Sequence, residues 1–160
     1  MSRYAESLSA HHHSPYTTPL DHVATDTGNG LLLLARLLIG GVFVLTGAMK
    51  LMDINQFAAE LVLMGVPAPE TMAIIGAVIE FAGGLALVVG LQLRFAVLVM
   101  IAFTIVATLM AHRFWTYAAA EWEDQFAHFV KNVMVVGGLI ALFVARGGRY
   151  SLDRLFHRPY

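Results

Sequence analysis

Residues 95–111 read FAVLVMIAFTIVATLMA, a stretch with no charge and with apolar side chains on every face of a helix. A helix on the surface of a soluble bundle keeps one polar face; one that is apolar all round is buried in protein or in lipid. Crossing a bilayer core of ~30 Å takes ~17–25 such residues at ~1.5 Å rise each. Three neighbouring stretches have the same character. Residues 31–51 carry only Arg36 and Lys50, residues 72–91 only Glu80, and residues 130–146 only Lys131, Asn132 and the terminal Arg146. The predicted fold is all-α: a four-transmembrane-helix bundle with short amphipathic helices on its outer surface. Composition agrees, since 58% of the 160 residues are hydrophobic, 13% are charged and the mean hydropathy is +0.70. An ordinary soluble domain carries about twice that charge.

Residues 1–30 mix Ser, Thr, His and Pro without periodicity and read as a mobile cytoplasmic tail. Residues 31–146 form the membrane domain, and residues 147–160 a basic cytoplasmic tail resting on the anionic inner leaflet. The first span lies behind a polar stretch whose one basic residue is Arg3, which is not the pattern of a cleavable signal peptide. The first span is therefore expected to direct insertion. Four spans place both termini on one side. That side holds seven Lys and Arg residues (Arg3, Arg36, Arg94, Arg146, Arg149, Arg154 and Arg158) against three on the other, Lys50, Arg113 and Lys131. The positive-inside bias places both termini in the cytoplasm of a bacterial inner membrane.

The connections are informative too. Spans two and three are joined by Gln92, Leu93 and Arg94 in a tight hairpin. After span one, Asp53 and Gln56 have the spacing of a capping box, and Ile54, Phe57, Leu61 and Met64 follow at helical steps until Gly65 and Pro67. This predicts a short amphipathic helix on the outer surface. Trp115, Tyr117, Trp122, Phe126 and Phe129 lie between spans three and four and read as an outer aromatic belt.

Function is sought in the few polar residues inside the membrane. Counting ~1.5 Å per residue, Glu80 lies roughly 12 Å below the outer edge, with Thr104 at a similar level and Thr46 slightly shallower. Lys50, Thr108, His112, Lys131 and Asn132 gather near the outer rim, and Arg36 alone sits toward the cytoplasmic end. The expected site is a polar pocket in the outer half of the bundle, formed from these nine residues. Glu80 has two readings: a clasp paired with Lys50, Arg36 or a threonine, or a protonic group facing a pocket. His112 reads first as a rim histidine bonded to a loop, and Lys50 and Lys131 as side chains that snorkel to the headgroups. Gly40, Gly41, Gly83, Gly84, Gly137 and Gly138 fall near the middle of spans one, two and four, where missing side chains let backbones approach.

Some chemistries are excluded. With no cysteine there is no thiolate site, and serine occurs only in the two tails. No haem is expected because facing intramembrane histidines are lacking, and no metal site is expected. His11, His12 and His13 read as an incidental polar run. Nothing indicates nucleic-acid binding.

The assembled pattern resembles the DoxX (DoxX/DoxD-like) family of small four-helix membrane proteins. The matching pieces are Arg36 to Gly40 (RLLIG), Thr46 to Leu51 (TGAMKL), Glu80 to Gly84 (EFAGG) and Gly90 to Arg94 (GLQLR). His112 to Trp115 (HRFW), Lys131 with Asn132, and Gly147 to Asp153 (GGRYSLD) follow in order, so the likeness runs from about residue 31 to 154. The resemblance implies a membrane subunit supporting a quinone-linked redox complex, as an anchor or as a contributor to a quinone site. It implies no covalent cofactor, a quinone as the one small molecule, and a membrane-complex partner or a second copy of the chain beside the lipid. Two other readings stand next to it: a non-catalytic structural subunit of a larger respiratory or photosynthetic assembly, and a small-solute or proton pathway.

Overall fold

The computed structural model describes residues 19–156, with side chains from residue 25 onward. Helix α1 runs Pro19–Met52, α2 Ile54–Leu63, α3 Pro69–Val89, α4 Leu93–Ala111, α5 Ala119–Ala145 and α6 Leu152–Phe156, with a 3₁₀ turn at Phe114–Thr116. Four of these, α1, α3, α4 and α5, are long and apolar enough to cross a membrane. Their outward faces carry large apolar side chains, such as Leu38 at 63%, Phe95 at 69% and Val144 at 75% exposure. Such surface is stable only against lipid or protein.

Local chemistry sets the helix ends. The Asp53 carboxylate accepts the Gln56 N–H at 3.0 Å, one half of a capping box at the start of α2. Gly65, at φ +73°, closes α2 in a left-handed turn in which Val66 N–H reaches back to Leu61 O at 3.0 Å. Pro69 then opens α3, where a missing N–H costs nothing. Gly90, at φ +68°, ends α3 and begins the hairpin into α4.

Glycine sets how closely α1 and α3 pack. A Cβ at Gly40 would lie 2.8 Å from Gly84 O, and one at Gly84 would lie 2.7 Å from Val44 N. One turn further along, a Cβ at Gly47 would lie 2.6 Å from Phe81 N. Gly83 faces the Met100 sulfur and Gly138 faces Ile39, both side chains rather than backbone. Gly41 and Gly137 are different: a Cβ at either would meet nothing within 4 Å, so they lie off the contacts expected of them. Gly47 is the helix contact that the paired-glycine pattern missed.

The main core, built on Leu87, Leu93, Val97, Met100, Leu139 and Leu142, fills the half of the bundle nearer Arg36. A smaller cluster of Ala58, Leu61 and Ala73 seats α2 against α3 at the Lys50 end.

Three boundaries differ from expectation. Composition places the N-terminal tail at residues 1–30, but α1 is already helical from Pro19; residues 1–18, with His11, His12 and His13, lie outside the described residues. Helix α5 starts at Ala119, eleven residues before the apolar run, so most of the aromatic segment is its first three turns. The basic stretch after α5 begins as part of the bundle, because residues 147–153 are bonded into its end, as described below.

Candidate functional site

Glu80 projects from the face of α3 that also carries Ala73, Ala77 and Gly84, all buried against the neighbouring helices. The small residues on either side let α1 come close enough for its polar side chains to reach the carboxylate. Thr46 Oγ1 donates to Glu80 Oε1 at 2.5 Å, and Lys50 Nζ to Glu80 Oε2 at 2.5 Å. Thr46 has one proton and two further acceptors in reach, Val42 O at 2.9 Å and Phe43 O at 3.4 Å, so the three acceptors share that donor. Glu80 is 4% exposed, whereas the Lys50 side chain is 33% exposed and its ammonium lies 4.9 Å from the centre of the Phe57 ring. A charge-assisted pair that is dry on one side and covered by an aromatic face on the other holds both partners in place.

This pair forms one wall of a cavity of about 380 Å³ between α1, α2, α3 and α4, with Asn132 of α5 at its edge. Phe57 forms the roof and lies over Gly76 of α3, where a Cβ would meet its ring at 3.6 Å, an ordinary contact distance. Phe43, Ile79 and Phe103 supply apolar walls, and Thr104, His112 and Asn132 face the cavity from α4 and α5. Behind them runs a hydrogen-bond ladder. Thr104 Oγ1 donates to Met100 O at 2.7 Å, Thr108 Oγ1 to Thr104 O at 2.6 Å, and Asn132 Nδ2 to Thr108 Oγ1 at 2.8 Å. His112 Nδ1 lies 3.0 Å from Gln125 Oε1, and its ring stacks on His128 with centroids 4.8 Å apart. His128 and Gln125 are participants that sequence reasoning did not assign. His112 and His128 lie on different elements, and the i, i+3 step from Gln125 to His128 along α5 was the one available signal.

Of the nine expected pocket residues, Lys50, Glu80, Thr104, His112 and Asn132 line this cavity. Thr46 reaches it through Glu80 but opens onto a separate 260 Å³ vestibule that also carries Asp53, Gln56 and Glu60. Thr108 supports Asn132 and faces a shallow apolar groove between α4 and α5. Lys131 is exposed and takes no part. Arg36 belongs elsewhere, which corrects its inclusion in the pocket.

Arg36 is 1% exposed at the opposite end, and its guanidinium is spent on backbone carbonyls. Nε donates to Leu87 O at 3.1 Å, one terminal nitrogen to Gly147 O at 2.6 Å, and the other to Val88 O at 2.8 Å and Tyr150 O at 2.9 Å. These acceptors include the carbonyls at the C-terminus of α3, the negative end of its dipole, which stabilise the cation where it lies. Asp153 completes the clasp by accepting the N–H groups of Gln92 and Leu93, at 2.6 and 2.8 Å, at the start of α4. A Cβ at Gly147 would lie 2.5 Å from Ser151 Cβ, which is why the clasp can fold so tightly. The GGRYSLD segment is thus a structural fastener between α1, the α3–α4 turn and the end of α5.

Among the described residues no group of three or more His, Cys, Asp or Glu side chains is placed to hold a metal.

Comparison with known proteins adds a lineage. The family profile described as DoxX matches residues 31–113, which contain Arg36, Thr46, Lys50, Glu80, Thr104 and His112. The chain is similar to inner membrane protein YphA of Escherichia coli (strain K12), with 28% identity over 124 residues, 78% of this chain and 89% of that protein. It is also similar to inner membrane protein YqjF of the same organism, with 30% identity over 129 residues, 81% of this chain and 94% of that protein. No solved structure matches the chain. With its four apolar helices and a matched region that spans both the clasp arginine and the Lys50–Glu80 pair, the chain belongs to the DoxX family of multi-pass membrane proteins.

Proposed function

We propose that the protein is a membrane subunit supporting a quinone-linked redox complex, and that its cavity receives the quinone head. The observation that carries this reading is the cavity itself. Its volume of about 380 Å³ is in the range of small-molecule sites, its walls are mostly apolar, and its polar groups stand on two sides, Lys50 and Glu80 on one and Thr104, His112 and Asn132 on the other. A quinone head is a flat apolar ring with an oxygen at each end, which suits that division. The surrounding helix faces are apolar, so a long hydrocarbon tail could leave the cavity into lipid.

In this reading both termini lie in the cytoplasm of an inner membrane and the cavity opens toward the periplasm, consistent with the basic excess at the Arg36 end. The alternative of a proton or solute pathway has less support. Between the level of Glu80 and that of Arg36 the bundle is filled by Leu87, Val97, Met100 and Leu139, each fully buried, with no polar side chain among them.

Purification from its native membrane in mild detergent, with mass spectrometry of co-purifying chains and a visible absorption spectrum, tests the proposal. A redox protein that co-purifies and loses quinone-dependent activity when this subunit is absent is the expected result. A partner whose activity persists without the subunit would reduce the protein to a structural element. Purification with no redox partner would overturn the reading.

A further inference from the structure

We infer that the cavity is loaded sideways from the lipid, through an opening between α3 and α4 framed by Met72, Ile75 and Val106, and that the hydrocarbon tail of its ligand rests in that opening. This rests on the quinone reading above and deepens it by fixing how the ligand enters and where its tail lies.

Helices α3 and α4 touch near their hairpin, where Gly83 faces the Met100 sulfur. Beyond that level the cavity lies between them. Ile79, Ile75 and Met72 line it from α3, and Phe103, Val106 and Met110 from α4, each set stepping along one helix face by three or four residues. Met72, Ile75 and Val106 are also exposed, so the gap between the two helices reaches the outside of the bundle. Counting ~1.5 Å per residue, Ile75 lies roughly 5 Å inside the start of its span at Met72, and Val106 roughly 8 Å inside the end of its span at Ala111. An opening at that depth, edged by large apolar side chains, faces hydrocarbon rather than water.

The other sides are closed. Phe57 and Leu61 of α2, with Met64 just after it, cover the outer end. Toward the Arg36 end lie the fully buried Leu87, Val97 and Met100. Lys50 and Phe57 are the two residues that the cavity shares with the vestibule, and they stand between the compartments, with Lys50 tied to Glu80 and its ammonium 4.9 Å from the ring centre. On the α5 side Asn132 is bonded to Thr108.

Charge selects the same class of ligand. Lys50 and Glu80 are the only Lys, Arg, Asp or Glu side chains on the lining, and they pair with each other. An uncharged polar head is therefore favoured over a carboxylate or a phosphate, whose charge would be buried without a partner. With its tail between Ile75 and Val106, such a ligand keeps its hydrocarbon in the apolar layer while its head lies beside Lys50 and Glu80.

The test uses the unaltered full chain in phospholipid vesicles and a benzoquinone that carries a photoactivatable diazirine on its hydrocarbon tail. After irradiation, labelled residues are mapped by mass spectrometry, with and without an excess of the same quinone lacking the diazirine. Labelling that the excess removes is expected at Met72, Ile75 or Val106. Removable labelling at Met49, Gln56 or Glu60 instead would put the tail in the vestibule, and removable labelling confined to Phe43 and Phe103 would fold it inside the cavity. Either result overturns the inference and leaves the quinone reading standing. A second measurement follows the exchange of bound quinone for isotope-labelled quinone dissolved in the vesicle lipid. Val106→Trp, at the edge of the opening, should slow exchange at least about tenfold, and Gln56→Trp, in the vestibule, should leave it unchanged. The reverse ranking, or equal exchange in all three chains, would overturn the lateral route. If no labelling is removable anywhere, the quinone reading fails, and the inference with it.

Discussion

Glu80 and Arg36 are both charged side chains taken out of water, yet their surroundings lead to opposite expectations for mutation. Arg36 has four carbonyl partners and lines none of the cavities described above, so its purpose is completed by the fold. Arg36→Met should leave those carbonyls without donors and cost about 3 kcal/mol or more, read as a large fall in melting temperature in detergent. Arg36→Lys should recover little of this, because one ammonium cannot span acceptors on α3 and on the segment after α5 at once. Glu80, by contrast, faces a cavity. Glu80→Gln keeps an acceptor for Thr46 and removes the charge opposite Lys50. Because Lys50 is one-third exposed, the loss should be modest, about 1 kcal/mol. The variant should insert and fold yet impair its partner complex. Full activity in Glu80→Gln with unfolding in Glu80→Leu would make Glu80 a clasp like Arg36. Sequence reading separated these two residues by depth alone. It could not see that Arg36 is satisfied by backbone, because its partners lie 51 to 114 positions away and any residue type supplies a carbonyl.

At the scale of elements, the four spans, the α3–α4 hairpin and the start of α2 at Asp53 were legible because each rests on local pattern: apolar length, a Gly turn and a capping side chain. The ends of α1 and α5 were not. Both helices continue beyond the apolar run into polar sequence, where hydropathy no longer reports helix. In α5 the spacing of Trp122, Phe126 and Phe129 was the remaining sign, since these side chains pack around Phe114 with ring centroids 5.2 to 5.9 Å apart. Glycine pairs were also an incomplete guide, because only the partner helix decides whether a missing Cβ matters. Gly47→Ala should force α1 from the Phe81 backbone and destabilise by about 1–3 kcal/mol. Gly137→Ala, with open space around it, should stay within about 0.5 kcal/mol of the parent. Thermal melts of the two variants side by side check this; equal melting temperatures would show that the α1–α3 contact is looser than described.

For the whole molecule, the division of labour runs along the bundle axis. The Arg36 end is fastened by the clasp and filled by the main core, while the Lys50 end holds the cavity under α2. The basic excess at the Arg36 end supports the proposed orientation, with that end in the cytoplasm. A phosphatase active only in the periplasm should be silent when fused after Tyr160 and active when inserted near Glu121, and the reverse pattern would turn the cavity toward the cytoplasm. Whether the cavity is a quinone site is decided by filling it. Ala107 lines the cavity from α4, and Ala107→Trp should occupy much of its volume. The measurement is the quinone-to-protein ratio in organic extracts of parent and variant, each purified from its native membrane in mild detergent. Quinone near one per chain is expected in the parent and its loss in Ala107→Trp, with helical content and melting temperature preserved. Quinone absent from both, or retained equally by both, would contradict a quinone site.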